Sequence, residues 1–306
     1  MVYKSEIMNT IDAFEADIAR QPKYIKEFHA GLQIPKNRHS RTVFSGSGDS
    51  LAAAMLASAF SDYAIAAVDP LELAKNPEIA KNKSVYFVSV SGNTSANIRA
   101  SRLFRQTIAI TKNPNSGLGI SCKKVICLSY QDSGIITSGS IGFIASALEC
   151  ISKAVSFDIK GVERIFWRAK KEASKIDVSG KVFFLGGQYT YPVVMYAAAK
   201  LYEVAGSDAH YERLEQFFHM GLFSTKKSDT VIIFEDNVAR LQRLLQRLGL
   251  GVYAPKPGTK NKVGQVLFYA FLSQFVALRL ARKKRQKECY FVLQKRLRDA
   301  SSQTIY

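Results

Sequence analysis

The chain has 306 residues, 47% of them hydrophobic, and a formal charge of +18. That length admits two domains of ordinary size, and that apolar content fills real cores, so a disordered chain is excluded. The opening Met1-Val-Tyr-Lys-Ser-Glu6 lacks the apolar stretch of a signal peptide, and no run reads as approaching the roughly 20 apolar residues of a bilayer crossing, so a cytoplasmic protein without a membrane segment is expected.

In chain order, an amphipathic helix is predicted over about residues 3–29, with Ile7, Ile11, Phe14, Ile18 and Ile25 along one face. Thr42–Phe44 reads as a short strand, followed by Ser45-Gly-Ser-Gly-Asp-Ser50 and a helix over Leu51–Phe60. Strands are expected at Ala64–Val68, Val85–Val90, Thr107–Ile110 and Lys124–Leu128, with helices over Ile98–Phe104 and Gly139–Val155. The charged segment 158–175 reads as an inter-domain linker helix. The pattern then restarts with Lys181–Leu185, Gly186-Gly187 and a helix from Pro192 to about Val204. Thr230–Phe234 and Gly251–Tyr253 follow as strands, with helices over Ala239–Leu248 and Gly264–Leu280. Strands alternating with helices at this spacing make an α/β fold with parallel sheets, and strand, glycines and helix occur twice. The organisation read from this is an N-terminal helical arm (1–35), a first unit (36–157), the linker helix (158–175), and a second unit with a C-terminal helical tail (176–306).

Cys122, Cys127, Cys150 and Cys289 form neither a CxxC pair nor a disulfide framework, and read as buried small residues of a reduced compartment. The four histidines are scattered and suggest no metal site. The positive charge would steer phosphorylated metabolites inward but would equally attract nucleic acid. Its densest run, Arg279–Arg298, reads as a solvated helix face or end, with nucleic-acid contact as the lesser alternative.

The residues that speak most directly to chemistry are Ser89-Val-Ser-Gly-Asn-Thr94, issuing from the strand Val85–Val88. Hydroxyls at Ser89, Ser91 and Thr94, with Gly92 and Asn93, can bind a phosphate monoester without adding charge, at the strand end where open α/β sheets place ligands. Gly46-Ser47-Gly48 lies one glycine turn earlier. There is no GxGxxG fingerprint and no Walker lysine, so a nucleotide is not the expected ligand. In the second half, Lys200, Glu203 and His219 offer a base, a cation and a ring-opening group, the set that isomerising a sugar phosphate demands. Read alone, Lys200 and Glu203 are equally an exposed i,i+3 pair, and His219 a half-buried histidine between Phe218 and Met220.

The chain resembles the sugar isomerase (SIS) family in its tandem form. Ser89–Thr94 matches the S-x-S-G-x-T phosphate loop, Thr111-Lys-Asn-Pro-Asn-Ser116 the segment after the next strand, and Thr137-Ser-Gly-Ser140 a second substrate-facing turn. Phe184-Leu-Gly-Gly187, Tyr191-Pro192 and Ala199-Lys-Leu-Tyr-Glu203 resemble the isomerase half of the glutamine–fructose-6-phosphate aminotransferases, whose helix reads A-L-K-L-K-E with a histidine at the spacing of Glu203 to His219. Met220-Gly221 stands where those members have Gly-Pro, and the tail lacks their D-x-P-R-x-L context. The resemblance implies two flavodoxin-like SIS domains. It makes Glu203 the proton-transfer base, His219 a ring-opening group given across a homodimer interface, Lys200 a stabiliser of the intermediate's oxygens, and Lys295 the late lysine near the open-chain sugar. The phosphate site would comprise Gly46, Ser47, Gly48, Ser89, Ser91, Gly92, Asn93, Thr94 and Ser140.

The implied activity, shared with the archaeal-type phosphoglucose/phosphomannose isomerases, is interconversion of fructose 6-phosphate with glucose 6-phosphate, extending to mannose 6-phosphate, through an enediol. No cofactor or metal is expected, and neither a membrane nor nucleic acid is expected as partner. Glucosamine-6-phosphate deamination or isomerisation is the alternative chemistry, and a non-catalytic phosphosugar-binding regulator the alternative class.

Overall fold

The structure, a computed structural model, describes residues 8–306. Helix α1 (Thr10–Glu27) starts at Asn9, whose side chain accepts from the Asp12 amide at 2.9 Å, satisfying a donor that the first turn leaves open. It buries Ile11, Phe14, Ile18 and Ile25, the face that the spacing predicts; residues 3–7 of the expected helix, with Ile7, lie outside the described residues.

A first layer follows as β1 (Thr42–Gly46), α2 (Asp49–Phe60), β2 (Ala66–Val68), α3 (Pro70–Lys75), β3 (Ser84–Val88), α4 (Ser95–Ser101), β4 (Gln106–Thr111), α5 (Gly117–Ser121), β5 (Lys124–Cys127) and α6 (Ile141–Ala154). The five strands form one all-parallel sheet in the order β2-β1-β3-β4-β5, with Phe44 opposite Tyr86 and Val88 opposite Ile110. After α7 (Val162–Ala173), a second all-parallel sheet is built from β6 (Val182–Gly186), α8 (Tyr191–Lys200), β7 (Ala209–Arg213), α9 (Leu214–His219), β8 (Thr230–Ile233), α10 (Ala239–Arg247) and β9 (Gly251–Tyr253), in the order β7-β6-β8-β9. The chain closes with α11 (Lys262–Lys283), α12 (Tyr290–Leu293) and α13 (Lys295–Ile305). Parallel neighbours require crossover helices, and these cover the sheet faces.

Several details differ from the expectation. β7 was not anticipated, because Ala-His-Tyr-Glu-Arg carries one buried residue and the polarity of an edge strand. The expected helix over Gly139–Val155 begins only at Ile141, leaving Gly139 and Ser140 in the turn before it. The helix after Pro192 changes character: α8 ends at Lys200 and continues as a π-helical turn over Leu201–Ala205, closed by Gly206 at φ +59°. The segment read as a linker forms α7, which buries Val162, Ile165, Phe166 and Ala169; its Phe166 ring lies 5.2 and 5.1 Å from those of Phe271 and Phe275 on α11. Helix α11 is long and apolar enough to cross a bilayer by length and composition, against the expectation of no such run, and it is buried within the protein's own core. Of the four cysteines expected to be buried, Cys150 and Cys289 are, whereas Cys122 is half-buried and Cys127 exposed.

The core is continuous between the sheets. Phe44 and Val88 of the first sheet, Phe184 and Ile232 of the second, and Phe268 and Phe271 of α11 belong to one apolar cluster. Smaller clusters lie around Val85 and Phe87 and around Leu185 and Ile233, on the outer faces.

The centre of the basic run, from Arg282 to Lys287, is exposed apart from Gln286, as read, and part of it is engaged by the chain itself. Arg282 donates to Asp12 and Glu15 of α1, Lys283 pairs with Asp177, and Lys284 donates to the Ala205 carbonyl at 2.7 Å. Exposed pairs of this kind are individually weak. They nonetheless show the run as a strap joining α1 to the end of the π turn, not one helix face, since α11 stops at Lys283.

Candidate functional site

The loop leaving β3 is held in one conformation by its own polar groups. Gly92 has φ +68°, and a Cβ there would fall 1.9 Å from Ser116 Oγ, so only glycine fits. Ser89 is buried: its Oγ accepts from the Gly92 amide at 3.1 Å and lies 3.4 Å from Thr94 Oγ1. Ser89 therefore braces the loop. Ser91 and Asn93 are exposed, and Thr94, half-buried, opens α4 with no cap bond from its hydroxyl. The Ser91, Asn93 and Thr94 side chains are the ones that a phosphate could reach.

The glycine turn after β1 is equally constrained. A Cβ at Gly46 would lie 2.7 Å from the Ser50 carbonyl, and Gly48 has φ +57°. Ser47 is half-buried, its carbonyl accepting from the Ser50 amide. This turn delivers Asp49 to the first turn of α2.

Between these loops runs the segment ending in Thr137-Ser-Gly-Ser140. Asp17 of α1 accepts from the Ser133 amide at 2.6 Å, with burial holding its carboxyl above the ordinary range; Thr137 donates to the Thr10 carbonyl at 3.1 Å. Tyr196 of α8 donates to the Gly139 carbonyl at 2.8 Å. Ser140 is buried where α6 begins, and a Cβ at Gly142 would meet the Val90 side chain at 3.4 Å. A Cβ at Gly139 would meet Asp49 Oδ2 at 2.5 Å. The turn thus closes on Asp49, while the first turn of α6 that follows it packs near Val90 of the Ser89–Thr94 loop.

On that second side lies a charged cluster. Lys200 Nζ, with no solvent exposure, donates to Asp49 Oδ2 at 2.8 Å, Ser138 Oγ at 2.8 Å and Glu203 Oε2 at 2.7 Å. Ser138 in turn donates to Glu203 Oε2 at 2.6 Å. The ammonium also stands 4.9 Å from the centre of the Tyr196 ring, a favourable cation–π position. Burial pulls the Lys200 ammonium down, but Asp49 and Glu203 together outweigh it and leave its pKa above the ordinary value. Burial pushes the Asp49 carboxyl up to about 6, Lys200 opposing and Glu203 adding to the rise. Glu203 is partly exposed, with Oε2 committed and Oε1 without a partner among the described residues. A carboxylate fixed through one oxygen and open through the other is suited to moving a proton on a bound molecule.

The π turn sets this geometry. Such turns arise where a helix takes one residue more than its hydrogen-bond ladder accommodates, and they recur at functional sites. Its last carbonyls are taken up by the tail: Lys284 donates to Ala205 and Gln286 to Val204, while Gly206 lies against the Tyr290 ring.

Lys200, Glu203 and the Thr137–Ser140 turn are thus brought together beside Asp49, with Val90 of the Ser89–Thr94 loop near the start of α6 that follows the turn. His219 and Lys295 are not brought to them. His219, at the end of α9, is two-thirds exposed and lies 3.1 Å from Glu215. Lys295 is exposed at the start of α13. The two residues missed are Asp49 and Ser138. Asp49 stood in plain sight in Ser-Gly-Ser-Gly-Asp-Ser, and Ser138 two positions from the serine singled out. The second glycine turn does not repeat the first: the Gly187 amide and Thr190 hydroxyl both donate to Glu235, at 2.7 and 2.6 Å, so a carboxylate of the chain already uses these donors. No cluster of metal-ligating side chains occurs among the described residues.

No family model and no curated protein matches the chain. Solved structures do. A glucosamine-6-phosphate deaminase from Thermotoga maritima is 19% identical, with 90% of this chain and 95% of that one covered at a TM-score of 0.68. The C-terminal domain of glucosamine-fructose-6-phosphate aminotransferase from Francisella tularensis is 14% identical, covering 92% and 97% at 0.68. Tagatose-6-phosphate ketose/aldose isomerase from Escherichia coli is 14% identical, covering 89% and 93% at 0.68. The fold is that of these phosphosugar proteins. At such identities the likeness speaks for the fold alone.

Proposed function

We propose that the protein is an aldose–ketose isomerase of hexose 6-phosphates, interconverting fructose 6-phosphate with glucose 6-phosphate and extending to mannose 6-phosphate. The observation that carries this reading is Glu203 of the π turn, anchored through Oε2 by Lys200 and by Ser138 of the Thr137–Ser140 turn, with Oε1 unpartnered among the described residues. Ser91, Asn93 and Thr94 hold the phosphate. Glu203 takes the proton from C1 of the open-chain ketose, the C1–H electrons forming the enediol double bond as the C2 carbonyl oxygen gains a proton from water; it then returns a proton to C2 as the C1 hydroxyl gives its proton up to water and the aldehyde forms at C1. Ring opening falls to His219 of a second copy in a homodimer, in keeping with its exposure and its separation from the cluster within one chain. The two sheets are then two SIS units, 36–157 and 176–306, working in a cytoplasmic enzyme without metal or cofactor.

The likeness to phosphosugar isomerases and a deaminase supports this class of substrate. One observation favours an amino-sugar variant: two carboxylates share one lysine, and that surplus negative charge suits an ammonium at C2. The test is incubation with fructose 6-phosphate alone, then with glucosamine 6-phosphate, products read by NMR, with Glu203→Gln in parallel. Aldose phosphate from the native protein only supports the isomerase; ammonia and fructose 6-phosphate from the amino sugar move the assignment to a deaminase. Ligand-induced thermal protection without turnover overturns both in favour of a binding protein.

A further inference from the structure

The resemblance gives Lys200 a place on the substrate's oxygens, and the geometry gives it another. An ammonium has three N–H donors, and Lys200 spends all three inside the chain, on Asp49, Ser138 and Glu203, with none of its surface exposed. No donor is left for a ligand. Asp49 and Ser138 are the members of this set that neither the resemblance nor the spacing assigned, and Asp49 is the charged one.

We infer that Asp49 is a positioning residue: it anchors the buried Lys200 ammonium, and through that ammonium holds Glu203 Oε2, so that Lys200 is an internal tether between two carboxylates rather than a substrate contact. This rests on the reading of Glu203 as the base. Asp49 comes from α2 and Glu203 from the π turn after α8, so the tether ties the two halves of the chain at the site. Gly48 at φ +57° starts α2 where the Asp49 carboxylate faces the positive end of a twelve-residue helix. Gly139 leaves the space, since any side chain there would strike Asp49 Oδ2. Asp49 Oδ1 is buried without a hydrogen-bond partner, so the carboxylate depends on Lys200 for its compensation. The charged and titratable groups facing Asp49 are Lys200 and Tyr196 of α8 and Glu203 of the π turn; the Ser138–Ser140 turn brings none.

The test compares native protein, Asp49→Asn and Asp49→Glu by two readouts. The first is the Lys200 ammonium resonance in lysine-labelled protein, assigned with Lys200→Arg. The second is kcat and KM on fructose 6-phosphate. In the native protein the ammonium protons exchange slowly. In Asp49→Asn that protection drops at least tenfold, and kcat falls at least tenfold with KM within twofold; Asp49→Glu, which keeps the charge, regains part of both. A raised KM with unchanged kcat makes Asp49 a substrate contact and overturns the inference, as does unchanged ammonium exchange. Should Asp49→Asn not fold, Asp49→Glu decides: full kcat with an unprotected ammonium is the contradicting result. If the native protein turns over no sugar phosphate, the functional reading fails by itself, while ammonium exchange still shows whether Asp49 anchors Lys200.

Discussion

Ser138 donates a 2.6 Å hydrogen bond to Glu203 across 65 positions of sequence. It joins the turn before α6, in the first half of the chain, to the π turn in the second, and leaves one Glu203 oxygen free. The same hydroxyl accepts from Lys200, so it cannot also donate to a ligand while it holds Glu203.

Ser138→Ala removes a charge-assisted bond of about 1.5–3 kcal/mol and leaves Glu203 held by Lys200 alone. The expected outcome is a kcat about tenfold lower or more, with KM little changed, in steady-state assays on fructose 6-phosphate. A rise in KM alone would place Ser138 on the substrate instead.

Ser91→Ala combined with Thr94→Ala acts on the other side of the turn. Phosphate is bound alike in ground and transition states, so KM should rise about tenfold or more while kcat is largely kept. A loss confined to kcat would remove the phosphate from this loop.

Gly206→Ala tests the end of the π turn. A Cβ there enters the Tyr290 ring at 2.4 Å, and φ +59° is strained for any other residue. Chemical denaturation should show a loss of about 1–3 kcal/mol. Lys284→Met, which frees the Ala205 carbonyl, should cost about 1 kcal/mol.

Asp49 gives stability a distinct pH dependence. Its carboxyl is raised from the ordinary 3.8 to about 6 in the folded chain, so between those values the native state binds more protons than the unfolded one. Its contribution is therefore full below about pH 4 and lost as the pH rises through about 6. The difference in Tm between native protein and Asp49→Asn should fall across that window and be flat above it.

Much of the fold was legible because its signals are local. Val85-Tyr-Phe-Val88 followed by small polar residues announces a strand and its loop, and the alternation with helices announces parallel sheets. β7 was not legible, because its place in the sheet is decided by pairing with β6 rather than by its own pattern. At the site, Lys200 and Glu203 could be picked out from resemblance. Burial of Lys200 could not: the i,i+3 spacing fits a solvated pair equally well, and only Asp49 and Ser138, both distant in sequence, enclose its ammonium. The π turn, which displaces Glu203 from regular helical geometry, leaves no mark that one sequence reveals. The basic run is solvent-exposed at its centre, as read, but the pairing of Arg282 was not legible because its partners, Asp12 and Glu15, lie at the other end of the chain.

The central claim is that Glu203 carries a proton between adjacent carbons of a hexose 6-phosphate. The direct measurement is incubation of fructose 6-phosphate with the native protein in deuterium oxide, followed by NMR of the sugar. The expected result is glucose 6-phosphate, carrying deuterium at C2 to the extent that the proton on Glu203 exchanges with solvent before it returns, and no product with Glu203→Gln. Product formed equally by Glu203→Gln would contradict it.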